Sequence, residues 1–437
     1  MAFVPIYIVI LGFTIIVDYL AGICIEKSEG RKRKYFLIAS LVANIGILCI
    51  FKYYNFINQN FSFLLHGFGL SNPIPYLSIL LPIGLSFHTF QAMSYTIEVY
   101  RGNQKAERHF GIYALYVMFY PQLVAGPIER PQNLLHQFRE KHHFSSDQVF
   151  EGLKIMTWGL FKKLVIADRL GIYINGAYNH LPQQNGMTLL LATIFFSFQI
   201  YCDFSGYSDI AIGAARVMGF NLMTNFRRPL FAKNTGEFWK RWHISLSTWF
   251  KDYLYFPMGG SKVPLPRWYF NLMIVFLISG LWHGANWTYI IWGGINGFYL
   301  IFAIATKKYR DKFNKLIGIN KFPRLNLFLE ISITFLLISF SRIFFRSKTV
   351  EDAITVMKKI ITFKGSIFND GATIVIYSFM AIGFLLAVEL KKEFYTGTFT
   401  LSNHKNFWVR NSYYSFLIII IILLGVFDGG QFIYFQF

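Results

Sequence analysis

The stretch that decides the fold is LWHGANWTYIIWGGING, residues 281–297. Its histidine, His283, lies at the joint of two apolar runs, residues 269–281 and 287–305, and each run could enter a bilayer. An ionisable side chain at membrane depth is costly unless it faces protein or water, so His283 is a candidate functional residue. The alternative is a histidine satisfied at a helix end, with Trp282 and Trp287 as interfacial anchors.

Glycines surround this histidine at close spacing. Because glycine has no Cβ, such positions let helix backbones or a ligand approach closely. The glycines of this stretch are Gly280, Gly284, Gly293, Gly294 and Gly297. They predict tight packing of the two apolar runs against each other or around a bound molecule.

The composition predicts an all-α, polytopic membrane protein. Of the 437 residues, 54% are hydrophobic and 19% aromatic, which is more than a soluble domain of this length needs. No repeat or soluble domain interrupts the apolar runs, so residues 1–437 are predicted to form a single transmembrane domain. The net charge of +20 fits basic cytoplasmic loops and anionic lipid headgroups better than nucleic acid.

About ten transmembrane spans are predicted, since each span takes about 20 apolar residues. They lie at about residues 3–23, 35–51, 76–97, 153–178, 187–215, 269–281, 287–305, 325–345, 373–390 and 413–427. The first run lacks the basic start and cleavage site of a signal peptide, so it is predicted to be a retained span. The fourth is irregular because charged residues interrupt it, namely Lys162, Lys163, Asp168 and Arg169.

The distribution of Lys and Arg predicts an N-terminus outside the cell. With ten alternating spans, most basic residues fall in cytoplasmic loops, and segment 346–372 is the basic exception outside. The predicted cytoplasmic loops are residues 24–34, 98–152, 216–267, 307–324 and 391–412. The predicted outside segments are residues 52–75, 179–186 and 346–372.

Two further segments are predicted to be re-entrant or interfacial. Residues 111–125 are too short a run to span, and the prolines and glycine at 121–131 fit a re-entrant segment buried in protein. Residues 234–253 are rich in Trp and basic side chains, which favours an amphipathic helix on the cytoplasmic face. The alternative is that basic residues here bind substrate phosphates, the candidates being Arg227, Arg228, Lys240 and Arg241.

Two carboxylates, Asp203 and Asp209, lie in the fifth predicted span. Their spacing is about 1.7 turns, so they do not share a helix face and are not a paired acid and base. The favoured interpretation is that they bind neighbouring helices and fix the fold. Adjacent His142 and His143 have no third ligand nearby, so no metal site is predicted.

Several motifs occur together in an order that resembles the membrane-bound O-acyltransferase family. The motifs are SFHTFQAMSY (86–95), PQLVAGPI (121–128), DFSGYSD (203–209), FWKRWHISLS (238–247), YFPMGG (255–260) and LWHG (281–284). The resemblance is good over about residues 80–300 and is to the branch that O-acetylates alginate, peptidoglycan and other polysaccharides. The D-alanyl transferases of teichoic acid look like more distant members.

The resemblance implies that His283, in the Trp-His-Gly motif, is catalytic and that His243 is a second functional position. It also implies a ring of helices around a central tunnel, in a bacterial plasma membrane. His243 reaches such a tunnel only if segment 216–267 folds back into the membrane, which is permitted where backbone lines a cavity. The further residues predicted to bind the donor or line the tunnel are Arg241, Lys240, Trp242, Trp282, Asn286 and Asp203.

The activity implied by the resemblance is transfer of an acetyl group from cytoplasmic acetyl-CoA to a hydroxyl of an extracytoplasmic polysaccharide. Transfer would be direct or through a secreted acetyltransferase partner, with no tightly bound cofactor. D-alanyl, lipid or protein acyl transfer at the same site stays open. A transporter or flippase of an acyl or glycan carrier is the alternative from another class, because broken helices and intramembrane carboxylates suit one.

Overall fold

The computed structural model describes residues 7–78, 82, 84–368, 371–395, 402 and 404–427. Every regular element within these ranges is a helix, which confirms the all-α class. The chain divides into two compact units, Met1–Gly152 with Ala214–Met223 and Leu153–Gly213 with Thr224–Phe437. The single domain over residues 1–437 and the ring around a tunnel stay predictions.

The helices are numbered here in chain order. The first nine are α1 (Tyr7–Lys27), α2 (Gly30–Leu48), α3 (Tyr54–Gly67), α4 (Leu85–Arg101), α5 (Phe110–Met118), α6 (Pro131–Leu134), α7 (Ser146–Leu160), α8 (Asp168–Asn179) and α9 (Gly186–Val217). The others are α10 (Thr235–Arg241), α11 (Ile244–Phe250), α12 (Leu265–His283), α13 (Trp287–Ala305), α14 (Lys307–Leu316), α15 (Pro323–Arg346), α16 (Val350–Ile361), α17 (Ala372–Phe394) and α18 (Phe407–Leu424).

Eight helical segments in the described part of the chain are long and apolar enough to cross a membrane. They are α1, the continuous segment Gly30–Gly67, α9, α12, α13, α15, α17 and α18. This confirms a polytopic membrane protein and matches eight of the ten predicted spans. Residues 3–6 of the first predicted span lie outside the described residues.

The other two predicted spans differ from expectation. For the span at 76–97, residues 79–81 and 83 lie outside the described residues, and the helix begins only at Leu85 as α4. The span at 153–178 is α7, a π-helical segment (Phe161–Ala167) and α8, whose charged side chains keep it too polar to qualify. The nine residues of α5 are too few to cross a bilayer, as the re-entrant prediction requires.

In the first unit, α1, α2 and α4 pack together around a buried polar group. Asp18 is fully buried on α1, and its carboxylate accepts hydrogen bonds from Ser40 Oγ (2.6 Å) and Asn44 Nδ2 (2.9 Å) on α2. A buried carboxylate is tolerated where such donors replace water. This hydrogen-bonded cluster therefore ties the first two spans together.

In the second unit, α12 and α13 pack through glycines. A side chain on Gly280 would clash with the carbonyl of Tyr289, and one on Gly293 would clash with the carbonyl of Phe276. The two backbones thus touch directly, which confirms the close approach predicted from the glycine spacing. This packing fixes the end of α12 that carries His283.

Three polar segments of the second unit contact one another. Lys359 Nζ donates to the carbonyls of Leu181 (2.6 Å), Pro182 (2.9 Å) and Gln184 (2.9 Å). Asn286 Nδ2, between α12 and α13, donates to the carbonyl of Lys348 at 3.0 Å. Segment 346–372 therefore contacts both segment 179–186 and the α12–α13 turn. The side of the membrane on which these segments lie stays a prediction.

Candidate active site around two histidines

His283 is the last residue of α12 and lies in an aromatic cage. Its ring centroid is 5.0 Å from that of Trp282, 5.1 Å from that of Trp292 and 5.4 Å from that of Phe345. Trp292 and Phe345 meet the imidazole edge to face. Only 5% of His283 is exposed, so its imidazole is surrounded by protein and stands apart from bulk solvent.

A small cavity of about 10 Å³, room for about one water molecule, lies against His283. Helices α9, α10, α12, α13 and α15 all contribute to its wall, with Trp242 between α10 and α11. The lining residues are Ile200, Phe238, Trp239, Trp242, His283, Trp292, Asn296, Ile338, Arg342 and Phe345. The cavity is thus mainly aromatic, with an imidazole, an amide and a guanidinium as its principal polar groups.

His243 lies between α10 and α11 in a left-handed backbone conformation, with φ 44° and ψ 55°. This conformation is uncommon for residues other than glycine and costs of order 1–3 kcal/mol, so the surroundings must hold it. The backbone carbonyl of Asn225 accepts the N–H of Ile244 at 2.9 Å, and Asn225 Oδ1 accepts the hydroxyl of Ser245 at 2.9 Å. Asn225 therefore fixes Ile244 and Ser245, the two residues that follow the strained His243.

The same amide oxygen orients the imidazole of His243. Asn225 Oδ1 lies 3.2 Å from His243 Nδ1, and Asn225 Nδ2 donates to Ser208 Oγ at 3.1 Å. Because Oδ1 is an acceptor, Nδ1 carries the hydrogen and Nε2 keeps its lone pair in the neutral ring. Burial, followed by the neighbouring His283, lowers the pKa of His243 well below its usual range. His243 is therefore neutral at pH 7.

The ring of Trp282 contacts both histidines. The centroid of this ring is 6.3 Å from that of His243 and 5.0 Å from that of His283. Only 1% of His243 is exposed. The structure thus brings His243 close to the end of α12 that carries His283. The fold-back of residues 216–267 into the membrane stays a prediction.

The prediction of one amphipathic surface helix over residues 234–253 is wrong. The segment forms two seven-residue helices, α10 and α11, with a break at Trp242 and His243, and a π-helical segment follows at Lys251–Tyr255. Phe238, Trp242 and Trp249 are buried in it. The aromatic side chains that suggested a membrane interface instead pack inside the protein, because the break turns both short helices inward.

The other predicted donor or tunnel residues fall in different places. Trp242 lines the cavity and stacks on Phe238 at 5.4 Å. Arg241 is held by Glu393 (2.8 Å) and Glu237 (2.6 Å), and Lys240 is exposed. Asn286 caps α13 by accepting the N–H of Thr288 at 3.0 Å. Neither Arg241, Lys240 nor Asn286 is part of the cavity wall, and their predicted roles stay predictions.

Asp203 and Asp209 form ion pairs with consecutive lysines. Asp203 contacts Lys163 at 2.6 Å, and Asp209 contacts Lys162 at 2.7 Å. Lys163 also contacts Asp168 at 2.7 Å. These pairs join α9 to the π-helical segment and α8, which favours the interpretation that the carboxylates fix the fold. Asp203 lies outside the cavity wall.

Three residues of the site were missed by sequence reasoning: Asn225, Asn296 and Arg342. Arg342 is 4% exposed, with its guanidinium 4.6 Å above the ring of Trp242. A signal for it existed, since an arginine inside the apolar run 325–345 is costly in a bilayer. The two asparagines carried no such signal because an uncharged amide is common in any segment. In the described ranges, no group of three His, Cys, Asp or Glu is placed to hold a metal ion.

The fold and site define a polytopic helical membrane protein with a buried histidine facing an aromatic cavity. The chain belongs to the membrane-bound O-acyltransferase family, whose sequence profile matches residues 109–340. This matches the family resemblance drawn from the motifs.

Several characterised sequences are similar to this chain. The protein named "Probable alginate O-acetylase AlgI" of Pseudomonas aeruginosa is 37% identical over 351 residues, covering 79% of this chain and 64% of the relative. The "Peptidoglycan O-acetyltransferase" of Helicobacter pylori is 34% identical over 390 residues, covering 82% of this chain and 71% of the relative. The "Teichoic acid D-alanyltransferase" of Bacillus subtilis is 27% identical over 295 residues, covering 64% and 73%. The chain thus spans a little under two thirds of the Pseudomonas relative's length.

Proposed function

We propose that this protein is an O-acyltransferase that moves an acetyl group from acetyl-CoA to a hydroxyl of an extracytoplasmic polysaccharide. Family membership supports acyl transfer, and the names of relatives at 34% and 37% identity support acetyl as the group moved. The observation that carries the proposal is His283, buried at the end of a spanning helix and facing a small cavity lined by aromatic side chains and Arg342.

His283 acts as the general base in this proposal. A free hydroxyl is a poor nucleophile near neutral pH, so it needs a base within hydrogen-bond reach. His283 removes the hydroxyl proton while the alkoxide oxygen forms a bond to the thioester carbonyl carbon. The tetrahedral intermediate then breaks its carbon–sulfur bond, and the imidazolium returns the proton to the departing thiolate. Such positioned base catalysis contributes typically ~10²–10⁴ in rate.

His243 aligns the reactants and does not act as a second base. Its neutral ring is fixed by Asn225 at Nδ1, and both His243 and His283 contact the ring of Trp282. A neutral imidazole whose Nε2 accepts hydrogen bonds suits an amide N–H of the pantetheine arm or a bound water. The left-handed backbone of His243 supports a functional role, because strain of this kind persists mainly at functional sites.

The two substrates approach from opposite sides in this proposal. The α12–α13 turn beyond His283 contacts segment 346–372, which also contacts segment 179–186, and the distribution of basic residues predicts both segments to be outside. The acceptor hydroxyl therefore reaches His283 from outside, directly or on a secreted acetyltransferase partner. The donor enters from the cytoplasm, where the segment that carries His243 begins.

D-alanyl transfer is the second candidate. It uses the same base and the same hydroxyl attack on a thioester, and the Bacillus subtilis relative carries that name. Its lower identity of 27%, against 34–37% for the O-acetylating relatives, favours acetyl transfer here.

The test compares base-labile acetate on envelope and secreted polysaccharide from cells with the wild-type chain, with His283→Ala and without the gene. We expect acetate to vanish from one fraction in the last two strains. His180→Ala removes an exposed histidine of the same unit and serves as the control, which should keep full acetylation. Unchanged acetate in all strains contradicts the proposal, and ester-linked D-alanine in the same fractions then tests the second candidate.

A further inference from the structure

Arg342 places a positive charge on the wall of the cavity that His283 faces. It is on spanning helix α15, and its Nη1 donates to the carbonyl of Ser197 at 3.3 Å. Its guanidinium also lies over the rings of Trp242 at 4.6 Å and Phe238 at 5.7 Å. The aromatic faces hold the planar group in one orientation and lower the cost of burying its charge.

Two residues that line the cavity each have a buried polar atom with no hydrogen-bond partner among the described residues. The atoms are Nε1 of Trp239, which is a donor, and Oδ1 of Asn296, which is an acceptor. The amide group of Asn296 is oriented by its Nδ2, which donates to the carbonyl of Trp292 at 2.8 Å and to Ser341 Oγ at 3.2 Å. A buried polar atom left unsatisfied costs about 1–3 kcal/mol, so a bound molecule that satisfies both atoms is favoured.

These groups match the chemistry of an acyl thioester. Its carbonyl oxygen accepts hydrogen bonds, as the guanidinium of Arg342 and the indole N–H of Trp239 require. The amide N–H groups of its pantetheine arm donate, as Asn296 Oδ1 requires. A free phosphate or carboxylate would satisfy the two donors and leave Asn296 Oδ1 without a donor.

We propose that Arg342 is a catalytic residue that binds the thioester carbonyl oxygen and stabilises the negative charge formed there during acyl transfer. This inference rests on the proposed function and extends it by naming the group that stabilises the intermediate. When the acceptor oxygen bonds to the carbonyl carbon, the carbonyl electron pair moves to its oxygen and faces Arg342 and Trp239. When the carbon–sulfur bond breaks, that pair re-forms the carbonyl and the thiolate leaves with the proton held by His283. In a site shielded from water, a fixed cation acts strongly on such developing charge.

The test measures thiol release from acetyl-CoA by the purified full chain in lipid nanodiscs. The acceptor is the acetylated polysaccharide fraction from the same cells, stripped of acetate by mild base. Arg342→Met should lower kcat by about 10²–10³, as loss of one oxyanion donor does, and leave KM for acetyl-CoA near its wild-type value. Arg342→Lys should retain more activity than Arg342→Met because the charge remains and the planar donor fork is lost.

Arg346→Met is the matched control. Arg346 lies on the same helix and contacts Asn175 Oδ1 at 2.8 Å and the ring of Tyr178 at 5.1 Å, away from the cavity wall. Its kcat should stay near wild type. Trp239→Phe keeps an aromatic ring and removes the indole N–H. It provides a second test if Arg342→Met does not fold, and it should lower kcat and leave KM unchanged.

The outcomes separate this inference from the proposed function. Equal kcat values for Arg342→Met and Arg346→Met, or a higher KM with kcat unchanged in Arg342→Met, would overturn the role of Arg342. The proposed function would stand in that case if His283→Ala were inactive. If Arg342→Met did not fold, unchanged kcat in both Trp239→Phe and Arg342→Lys would overturn the inference. A wild-type chain that released no thiol would overturn direct transfer to the polysaccharide, and base-labile acetate on the polysaccharide of cells would then be compared between the variants. Equal acetate with Arg342→Met and Arg346→Met would overturn the role of Arg342, and unchanged acetate with His283→Ala would overturn the proposed function.

Discussion

Nδ1 of His243 lies 3.2 Å from Oδ1 of Asn225, and that oxygen also accepts the backbone N–H of Ser245 at 3.2 Å. One amide side chain therefore fixes both the orientation of a buried imidazole and the strained turn that carries it. Asn225 precedes α10 and His243 follows it, so this contact joins the two ends of that helix. The role of Asn225 is therefore to position His243.

Replacing Asn225 should impair catalysis through His243. Asn225→Ala removes the acceptor for Nδ1, so the ring no longer holds one tautomer, and we expect kcat to fall by about 10–100-fold, as with other groups that orient a functional histidine. Steady-state thiol release from acetyl-CoA measures it. Asn326→Ala, which removes a half-buried amide bound to Glu330 at the start of α15, is the control and should keep its kcat. Equal rates in both variants would contradict this role.

The stability of the protein should fall in acid because of His243. Burial lowers the pKa of His243 in the folded state, so the unfolded chain binds this proton more readily. The sign follows by linkage. The contribution of the neutral His243 ring to stability is fully present above the unfolded pKa of about 6.5, and it is lost as pH falls below that value. Thermal unfolding in detergent between pH 5 and 8 measures the effect. His243→Gln should show a smaller loss than wild type, and an identical pH profile would rule out His243 as the cause.

Gly280→Ala should destabilise the protein because a Cβ there would clash with the carbonyl of Tyr289. Forcing α12 and α13 apart resembles overpacking, which costs typically about 1–3 kcal/mol. Gly294→Ala is the matched control, since its nearest neighbour would be Leu277 Cδ2 at an ordinary 3.5 Å. Thermal unfolding in detergent should show a lower midpoint for Gly280→Ala alone. Equal midpoints would mean that the helices can separate without cost.

Asp203→Asn should act on stability and leave the donor KM unchanged. Loss of one partner of a buried pair costs about 3–5 kcal/mol, and the loss here should be smaller because Lys163 keeps Asp168. The double variant Asp203→Asn with Lys163→Gln should lose further stability, because Lys163 is also the ion-pair partner of Asp168. Unfolding midpoints and donor kinetics are measured together. A raised donor KM with normal stability would instead favour the donor-binding role predicted from the sequence.

Arg241 and Glu393 offer a test of phosphate binding. Both Arg241 and Arg228 contact Glu393, at 2.8 Å and 2.6 Å. If these contacts serve the fold, Arg241→Ala and Glu393→Ala should lower the unfolding midpoint alike and leave the donor KM unchanged. If Arg241 binds donor phosphates, only Arg241→Ala should raise that KM, because Glu393→Ala leaves the guanidinium in place.

Much of the fold was predictable because hydropathy is a local property. Spans such as α13 match the predicted run at 287–305, and the glycines of α12 and α13 packed as their spacing indicated. Residues 153–178 were harder, because Lys162 and Lys163 are paired with Asp209 and Asp203 of α9. Such pairing depends on which helices become neighbours, and spacing along the chain does not specify that.

The amino-acid sequence by itself determined the class of protein, most of its spanning helices and the two histidines, since apolar runs and short motifs are read from adjacent residues. The tertiary structure alone decided that His243 meets Trp282, and that Asn225 and Arg342 belong to the site. The physical reason is that burial depends on long-range packing. The break at Trp242 and His243 turns an apparently interfacial segment inward, and only that packing brings an arginine of α15 onto its aromatic rings.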